Sequence, residues 1–301
     1  MPVPAGTGRR GKQGAERMPD WLTEHKIPLG HWVEIAVDGF NAHASLFLDA
    51  FSDGLEFLIE GLTGILAAVP ALLLVAIFAA LAWWLRRSWR LALAVVLGLL
   101  LIINLGFWQE TLKTLSLVVF STVICMAIGV PVGIAAARRP WLEAGLRPVL
   151  DLMQTLPTFA YLIPTLILFG LGFVPGLVST VIFAIPAPIR LTTLGIKSTP
   201  PAFLEAGEAF GCTPFQRLVK IELPHAMPTI MAGLTQCIML SLSMVVIAAL
   251  VGADGLGVPV VRALNTVDIA KGFEAGLAIV IVAILLDRAL RRGGGPKDGS
   301  Q

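Results

Sequence analysis

Residues 205–224 read EAGEAFGCTPFQRLVKIELP, a polar stretch punctuated by Pro and Gly between two long apolar segments. Its side chains suit contact chemistry. Glu205 and Glu208 offer carboxylates, Arg217 and Lys220 offer cations, and Ala206, Gly207 and Ala209 are small enough to let another surface approach a helix backbone. Nothing in the chain suits covalent catalysis: there is no HExxH, no GxSxG, no paired carboxylates inside an apolar segment and no GxxxxGK[ST] phosphate loop. Cys125, Cys212 and Cys237 lie far apart, and the four histidines form no ligand cluster, so neither a metal site nor a disulfide framework is expected. What remains is a spacing: Glu205-Ala206-Gly207, three residues, Gly211, nine residues, then Ile221-x-Leu223-Pro224.

Local structure has to hold such a stretch in shape. Thr199 is placed to cap a helix, with Pro200 at the first helical position, where its missing N–H costs nothing. Phe203, Ala206, Gly207 and Phe210 then share one apolar face, and Glu205 and Glu208 project from the other side. Gly211 supplies a left-handed residue to end the turn. Thr213-Pro-Phe-Gln216 reads as a capping box opening a second short helix, which Pro224 closes. Arg217 and Lys220 fall on one side, within reach of anionic headgroups or a partner. A rigid two-helix elbow transmits a push that a floppy loop would absorb.

The flanks of the elbow belong in a membrane. Hydrophobic residues make up 56% of the 301 and charged residues 14%, against ~25% charge in a soluble domain; mean hydropathy is +0.83. Seven segments reach the length needed to cross ~30 Å of hydrocarbon: 66–85, 91–108, 114–137, 152–171, 175–195, 228–251 and 273–290. The long run 152–195 is divided at Gly170, Gly172, Pro175 and Gly176, where helix breakers gather. Arg86, Arg87, Arg90, Arg138, Arg139, Arg147, Lys197, Arg217 and Lys220 all fall in alternate loops, which the positive-inside rule assigns to the cytoplasm together with the elbow. Seven spans then put the N-terminus outside and the C-terminus inside. The basic N-terminal tail opposes this, but tails of its length translocate largely regardless of charge.

The expected organisation is an extracytoplasmic tail over 1–44 with a disordered beginning and no cleavable signal peptide, and an amphipathic outer helix over 45–62. A permease domain over 63–291 follows, containing a cytoplasmic loop at 199–225, and then a cytoplasmic tail over 292–301. The 45–62 helix is acidic on its polar side, which favours packing against the bundle, or contact with an external partner, over lying on anionic lipid. Trp83, Trp84, Trp89, Trp108 and Trp141 sit at predicted helix ends, as an anchoring aromatic belt would. Gly129-x-Pro131-x-Gly133 offers a small-residue face for close helix packing, or a hinge. Gln154, Thr155, Thr158 and Tyr161, with Gln236, Ser241 and Ser243, are polar at membrane depth; they serve interhelical hydrogen bonding or line a translocation path. Arg190 is placed to snorkel.

The 205–224 spacing resembles the EAA loop of bacterial ABC importer permeases, with Glu205, Ala206, Gly207, Gly211, Ile221, Leu223 and Pro224 on the pattern and Glu208 beside them. The likeness covers roughly 60–290. DLMQTLPTFAYLIPTLILFGLG, AIPAPIRLTTLGI and LSLSMVVIAALVGADGLG resemble the permeases of quaternary-amine importers, which carry glycine betaine, proline betaine, choline or carnitine. Within that group WLTEHKIPLGHW (21–32), ARRPW (137–141), 235–266 and GFEAG (272–276) are most similar to choline permeases, with Asp254 a departure in a Gly-rich run. The resemblance implies an all-α polytopic bundle of the type I importer class in the cell inner membrane, with choline as the expected solute and glycine betaine, proline betaine or carnitine as the alternative. It implies a second copy of the chain, two cytosolic ATPase subunits docked on the elbow, and a periplasmic solute-binding protein. ATP would be bound by the ATPase and no cofactor by this chain; no nucleic acid is expected as a partner. A secondary transporter would instead show buried ionisable residues and inverted repeats, and a passive channel would need no elbow.

Overall fold

A computed structural model describes residues 29–290, so the expected disordered beginning and the 292–301 tail lie outside the described residues. The described residues divide into two units between His43 and Ala44; helix α1 (Leu29–Ala68) begins in the first, and the elements below belong to the second. They are α2 (Ala71–Arg86), α3 (Trp89–Asn104), α4 (Trp108–Arg138), α5 (Pro140–Thr155), α6 (Phe159–Phe169), α7 (Phe173–Ala184) and α8 (Pro186–Lys197). After these come α9 (Pro201–Ala209), α10 (Pro214–Arg217), α11 (Leu223–Ala248), α12 (Gly257–Thr266) and α13 (Ile269–Leu290). Among the described residues every regular element is helical, as the sequence requires.

Among the described residues four helices are long and apolar enough to cross a bilayer: Trp108–Arg138, Phe173–Lys197, Pro214–Val251 and Ile269–Ala289. The number becomes six if two bent pairs each count as one span, Ala44–Ala68 with Ala71–Arg86 at 103° and Pro140–Thr155 with Phe159–Phe169 at 96°. Hydropathy alone gives seven, and the chain's breaks explain the difference. The expected span at 91–108 corresponds to α3, whose 16 residues rise about 24 Å, short of a full crossing. The expected span at 152–171 is not one helix. Leu156 precedes Pro157 and is driven to extended backbone (φ −63°, ψ 136°), which ends α5. The break at Gly170 and Gly172 is present, with φ of +72° and +146°. Pro175 and Gly176 do not share it; they lie buried inside the first turns of α7, where a proline leaves no helical hydrogen bond unmade.

One apolar core joins α2, α3, α4, α11 and α13 through Val75, Leu99, Leu117, Leu242, Val245 and Val282. The opposite faces of these helices are also apolar and exposed, among them Leu72, Leu97, Val123, Met239 and Ile284, as a lipid-facing surface must be. Trp83, Trp84, Trp89 and Trp141 are exposed at helix ends in the manner of a belt, whereas Trp108 turns onto the core. Gly129 and Gly133 let α4 approach α8 closely. A Cβ at Gly133 would stand 2.7 Å from the Ile189 carbonyl, and one at Gly129 would stand 2.8 Å from the Pro188 ring. Thr193 uses the same approach to donate to the Gly133 carbonyl at 3.0 Å. Ser121 on α4 donates to Ser241 on α11 at 3.0 Å, and Thr165 and Ser179 meet at 2.7 Å.

The bundle has two chemically distinct ends. At one, the beginning of α4 is tied to the 252–256 loop: Lys113 pairs with Asp254 at 2.6 Å, and the Leu256 amide donates to Thr114 at 2.8 Å. That contact gives Asp254 its partner. At the other end, Arg138 closes α4 beside the elbow. Lys197 pairs with Glu143, Arg147 reaches the same carboxylate at 3.7 Å, and Arg190 pairs with Asp151 at 2.6 Å. Arg190 thus carries its charged head to an exposed carboxylate at this end of the bundle.

Candidate functional site

The elbow is built from its own backbone first. α9 runs Pro201–Ala209 and is followed by Gly211 at φ +72°, the left-handed position its sequence predicts. The Gly211 amide donates to the Glu208 carbonyl at 2.9 Å and the Cys212 amide to the Gly207 carbonyl at 3.0 Å, satisfying the last carbonyls of the helix. Thr213 and Gln216 then form the full reciprocal capping box: the Gln216 amide donates to the Thr213 hydroxyl at 3.3 Å and the Thr213 amide to the Gln216 side chain at 3.0 Å.

Three local expectations are corrected. The first helix begins one residue late, with Pro200 extended at the cap and its carbonyl accepting from the Phe203 amide at 3.0 Å. The residue before a proline resists helical backbone, so Thr199 does not cap; its buried hydroxyl has no partner. Pro224 does not close the second helix either. The chain runs from α10 through one wide turn, Leu218–Glu222, directly into α11, where Pro224 occupies the first turn. The Leu223 amide donates to the Leu218 carbonyl, one residue further back than in an α-helix, and Pro224 follows directly on this wide turn. Third, Phe203 and Phe210 do not pack inward: they are 55% and 88% exposed, and Phe215 beside them is 72% exposed.

The inward side of α9 is instead Gly207, which is buried against Ile221; a Cβ on Gly207 would meet the Ile221 Cδ1 at 2.5 Å. Leu223 and Leu218 in turn pack on Ile196, Ala226 and Ile230 at the base of the bundle. Small and apolar positions of the motif therefore clamp the elbow to the bundle. Glu205, Ala206, Phe203, Phe210 and Phe215 are all left exposed, Phe203 and Phe210 on one side of the helix and Glu205 on the other. Glu208 is exposed but engaged: its carboxylate accepts from Arg217 at 2.6 Å. Arg217, expected to reach a headgroup or partner, is spent inside the elbow, since it also donates to the buried Glu222 at 3.0 Å. Glu222 and Arg138 are the residues that sequence reasoning missed. The signal for Glu222 was an acid set between Ile221 and Leu223.

The candidate path residues separate. Tyr161 and Ser241 are buried and committed, Tyr161 donating across the α5–α6 bend to the Met153 carbonyl and Ser241 accepting from Ser121. Gln154, Gln236 and Ser243 are exposed on their helices, and Thr158 is half-buried in the bend. Gln154, Thr155, Thr158 and Tyr161 form no continuous stripe, because the bend at Leu156 and Pro157 separates them. No side-chain hydrogen bond joins the α5–α6 group to the α11 group among the described residues.

The family model for the binding-protein-dependent transport system inner membrane component matches residues 129–291, which contain the elbow. The chain is 48% identical over 263 residues to the glycine betaine transport system permease protein OpuAB of Bacillus subtilis, covering 87% of this chain and 93% of that one. It is 41% identical over 286 residues to the glycine betaine/proline betaine transport system permease protein ProW of Escherichia coli, covering 89% and 80%. Among solved structures, the MetNI methionine ABC transporter in an inward-facing conformation aligns with a TM-score of 0.53 and 23% identity. That alignment covers 60% of this chain and 93% of that one, a likeness of fold. Together with the all-helical bundle and its elbow, these matches place the chain in the family of binding-protein-dependent inner-membrane transport components, as a permease subunit of an ABC importer.

Proposed function

We propose that this permease forms the translocation path for glycine betaine and the related proline betaine, driven by an ATPase docked on the outward surface of the elbow. The observation that carries the docking half is the exposed Glu205 with Phe203, Phe210 and Phe215, held on a backbone that its own caps and ion pairs make rigid. Exposed aromatic groups are the chemistry of a protein interface, and Glu205 adds a free charge to the same elbow. ATP is bound by that ATPase, and a second copy of this chain and a periplasmic solute-binding protein complete the assembly. The N-terminus lies outside and the C-terminus inside.

Sequence resemblance favours choline; the names of OpuAB and ProW, which match nearly the whole chain, speak for glycine betaine and proline betaine instead. A quaternary ammonium is held tightly by an aromatic cage. The single tyrosine of this chain is buried in the α5–α6 bend. Selection therefore rests with the binding protein, and the exposed Gln154, Gln236 and Ser243 offer only weak polar passage. Uptake of labelled glycine betaine by the reconstituted system should be competed by proline betaine and little affected by choline; preferential choline uptake would overturn the substrate assignment.

Glu205 tests the docking surface. Its removal disturbs no contact within the elbow, and a charge-assisted hydrogen bond to a partner carries about tenfold in affinity. Glu205→Ala should lower recovery of the ATPase with the purified permease by about that factor, and Glu205→Lys by more. Unchanged recovery and uptake in Glu205→Lys would remove this residue from the interface.

A further inference from the structure

Glu222 occupies the unassigned position of the Ile221-x-Leu223-Pro224 segment, and its side chain is 6% exposed. Its two carboxylate oxygens face two guanidiniums. Oε1 accepts from Nε of Arg217 at 3.0 Å, and Oε2 accepts from Nη2 of Arg138 at 3.0 Å. The same Nη2 of Arg138 donates to the Pro214 carbonyl at 3.2 Å, at the first residue of α10. Arg217 also holds Glu208 on α9 at 2.6 Å. One buried carboxylate thus collects both short helices of the elbow and fastens them to the last turn of α4, the helix that packs on α8 at Gly133 and on α11 at Ser241.

We propose that Glu222 is the positioning residue that carries displacement of the elbow into α4, with Arg138 as its receiving group. This deepens the docking assignment above and rests on it. The physical reason is the asymmetry between contact types. Apolar contacts such as Leu223 on Ile230 can slide at little cost, whereas a buried carboxylate cannot be left without its cations. Charge-assisted bonds are also directional, and Arg138 makes two of its contacts through one nitrogen. When the elbow moves, α4 must follow or the pair must break.

The test uses the full transporter with its ATPase in proteoliposomes and measures ATP hydrolysed per solute imported. Arg138→Met and Glu222→Gln should keep ATPase capture at the wild-type level while that ratio rises about tenfold, the factor one charge-assisted bond carries. Arg138→Lys should restore part of the coupling. Arg139→Met, which removes the neighbouring exposed cation, should leave the ratio unchanged. If the neutral variants fail to accumulate, Glu222→Asp retains the charge but is one methylene short of spanning both guanidiniums, and it should raise the ratio alone. A fall in uptake and hydrolysis together at constant ratio would overturn the proposal by reducing the network to structural support. Loss of the ATPase from Arg138→Met would also overturn it, by making Arg138 part of the docking surface. Failure of the docking assignment itself is separately visible, as a wild-type permease that retains no ATPase.

Discussion

Gly211 holds φ at +72° with no heavy atom within 4 Å of where a Cβ would stand, so only the backbone resists a side chain there. Gly211→Ala should therefore cost about 1–2 kcal/mol, and Gly211→Asn less, because asparagine tolerates the left-handed region. Thermal unfolding in detergent, read beside ATPase recovery, checks this; equal losses for Ala and Asn would point away from backbone strain. Gly207 presents the opposite case. Its ordinary helical backbone accepts any residue, and the obstacle is the far end of the Ile221 side chain. Gly207→Ala should be absorbed by a rotation of Ile221 and leave uptake close to normal, whereas Gly207→Leu should lift α9 from its seat and abolish uptake. Normal uptake in Gly207→Leu would show that α9 is not seated through this contact.

At the scale of elements, the approach of α4 to α8 is set by backbone and not by side-chain tips. A Cβ at Gly133 would meet both the Ile189 carbonyl and Thr192 Cβ at 2.7 Å. Gly133→Ala must push two helices apart and should cost about 1–3 kcal/mol. Gly145 in α5 has open space around it, so Gly145→Ala should instead gain up to about 1 kcal/mol of helix propensity. Opposite shifts in melting temperature for these two substitutions are expected; a neutral Gly133→Ala would mean that the α4–α8 contact is looser than described. The same contact accounts for the packing role of Gly129-x-Pro131-x-Gly133, since both glycines lie at the close approach.

For the whole molecule, the positive charges of Arg138, Arg147, Arg190 and Lys197 gather at the elbow end, each within reach of a carboxylate, while Lys113 and Asp254 meet at the other. The expected orientation places the elbow end in the cytoplasm. A reporter fused after Ser300 should be active inside, and one inserted near Arg262 should report the periplasm. The reverse pattern would overturn the orientation and, with it, access of an ATPase to the elbow.

Features that depend on a few neighbouring residues are legible in the chain before it folds. The capping box at Thr213 and Gln216, the left-handed Gly211 and the break at Gly170 and Gly172 each follow from residues adjacent in the chain. Composition and run length sufficed for a helical membrane bundle, because every backbone group in hydrocarbon must be paired within its own helix. Tertiary structure alone decided which apolar face is the interior. A membrane helix is apolar toward lipid and toward its neighbours alike, so periodicity does not separate the two. For that reason Phe203 and Phe210 read as a packed face and proved exposed. The pairing of Glu222 with Arg138, 84 residues away, lay equally beyond local reading. No local signal links two charges so distant; only the descent of α4 beside the elbow brings them together, and burial then obliges them to pair.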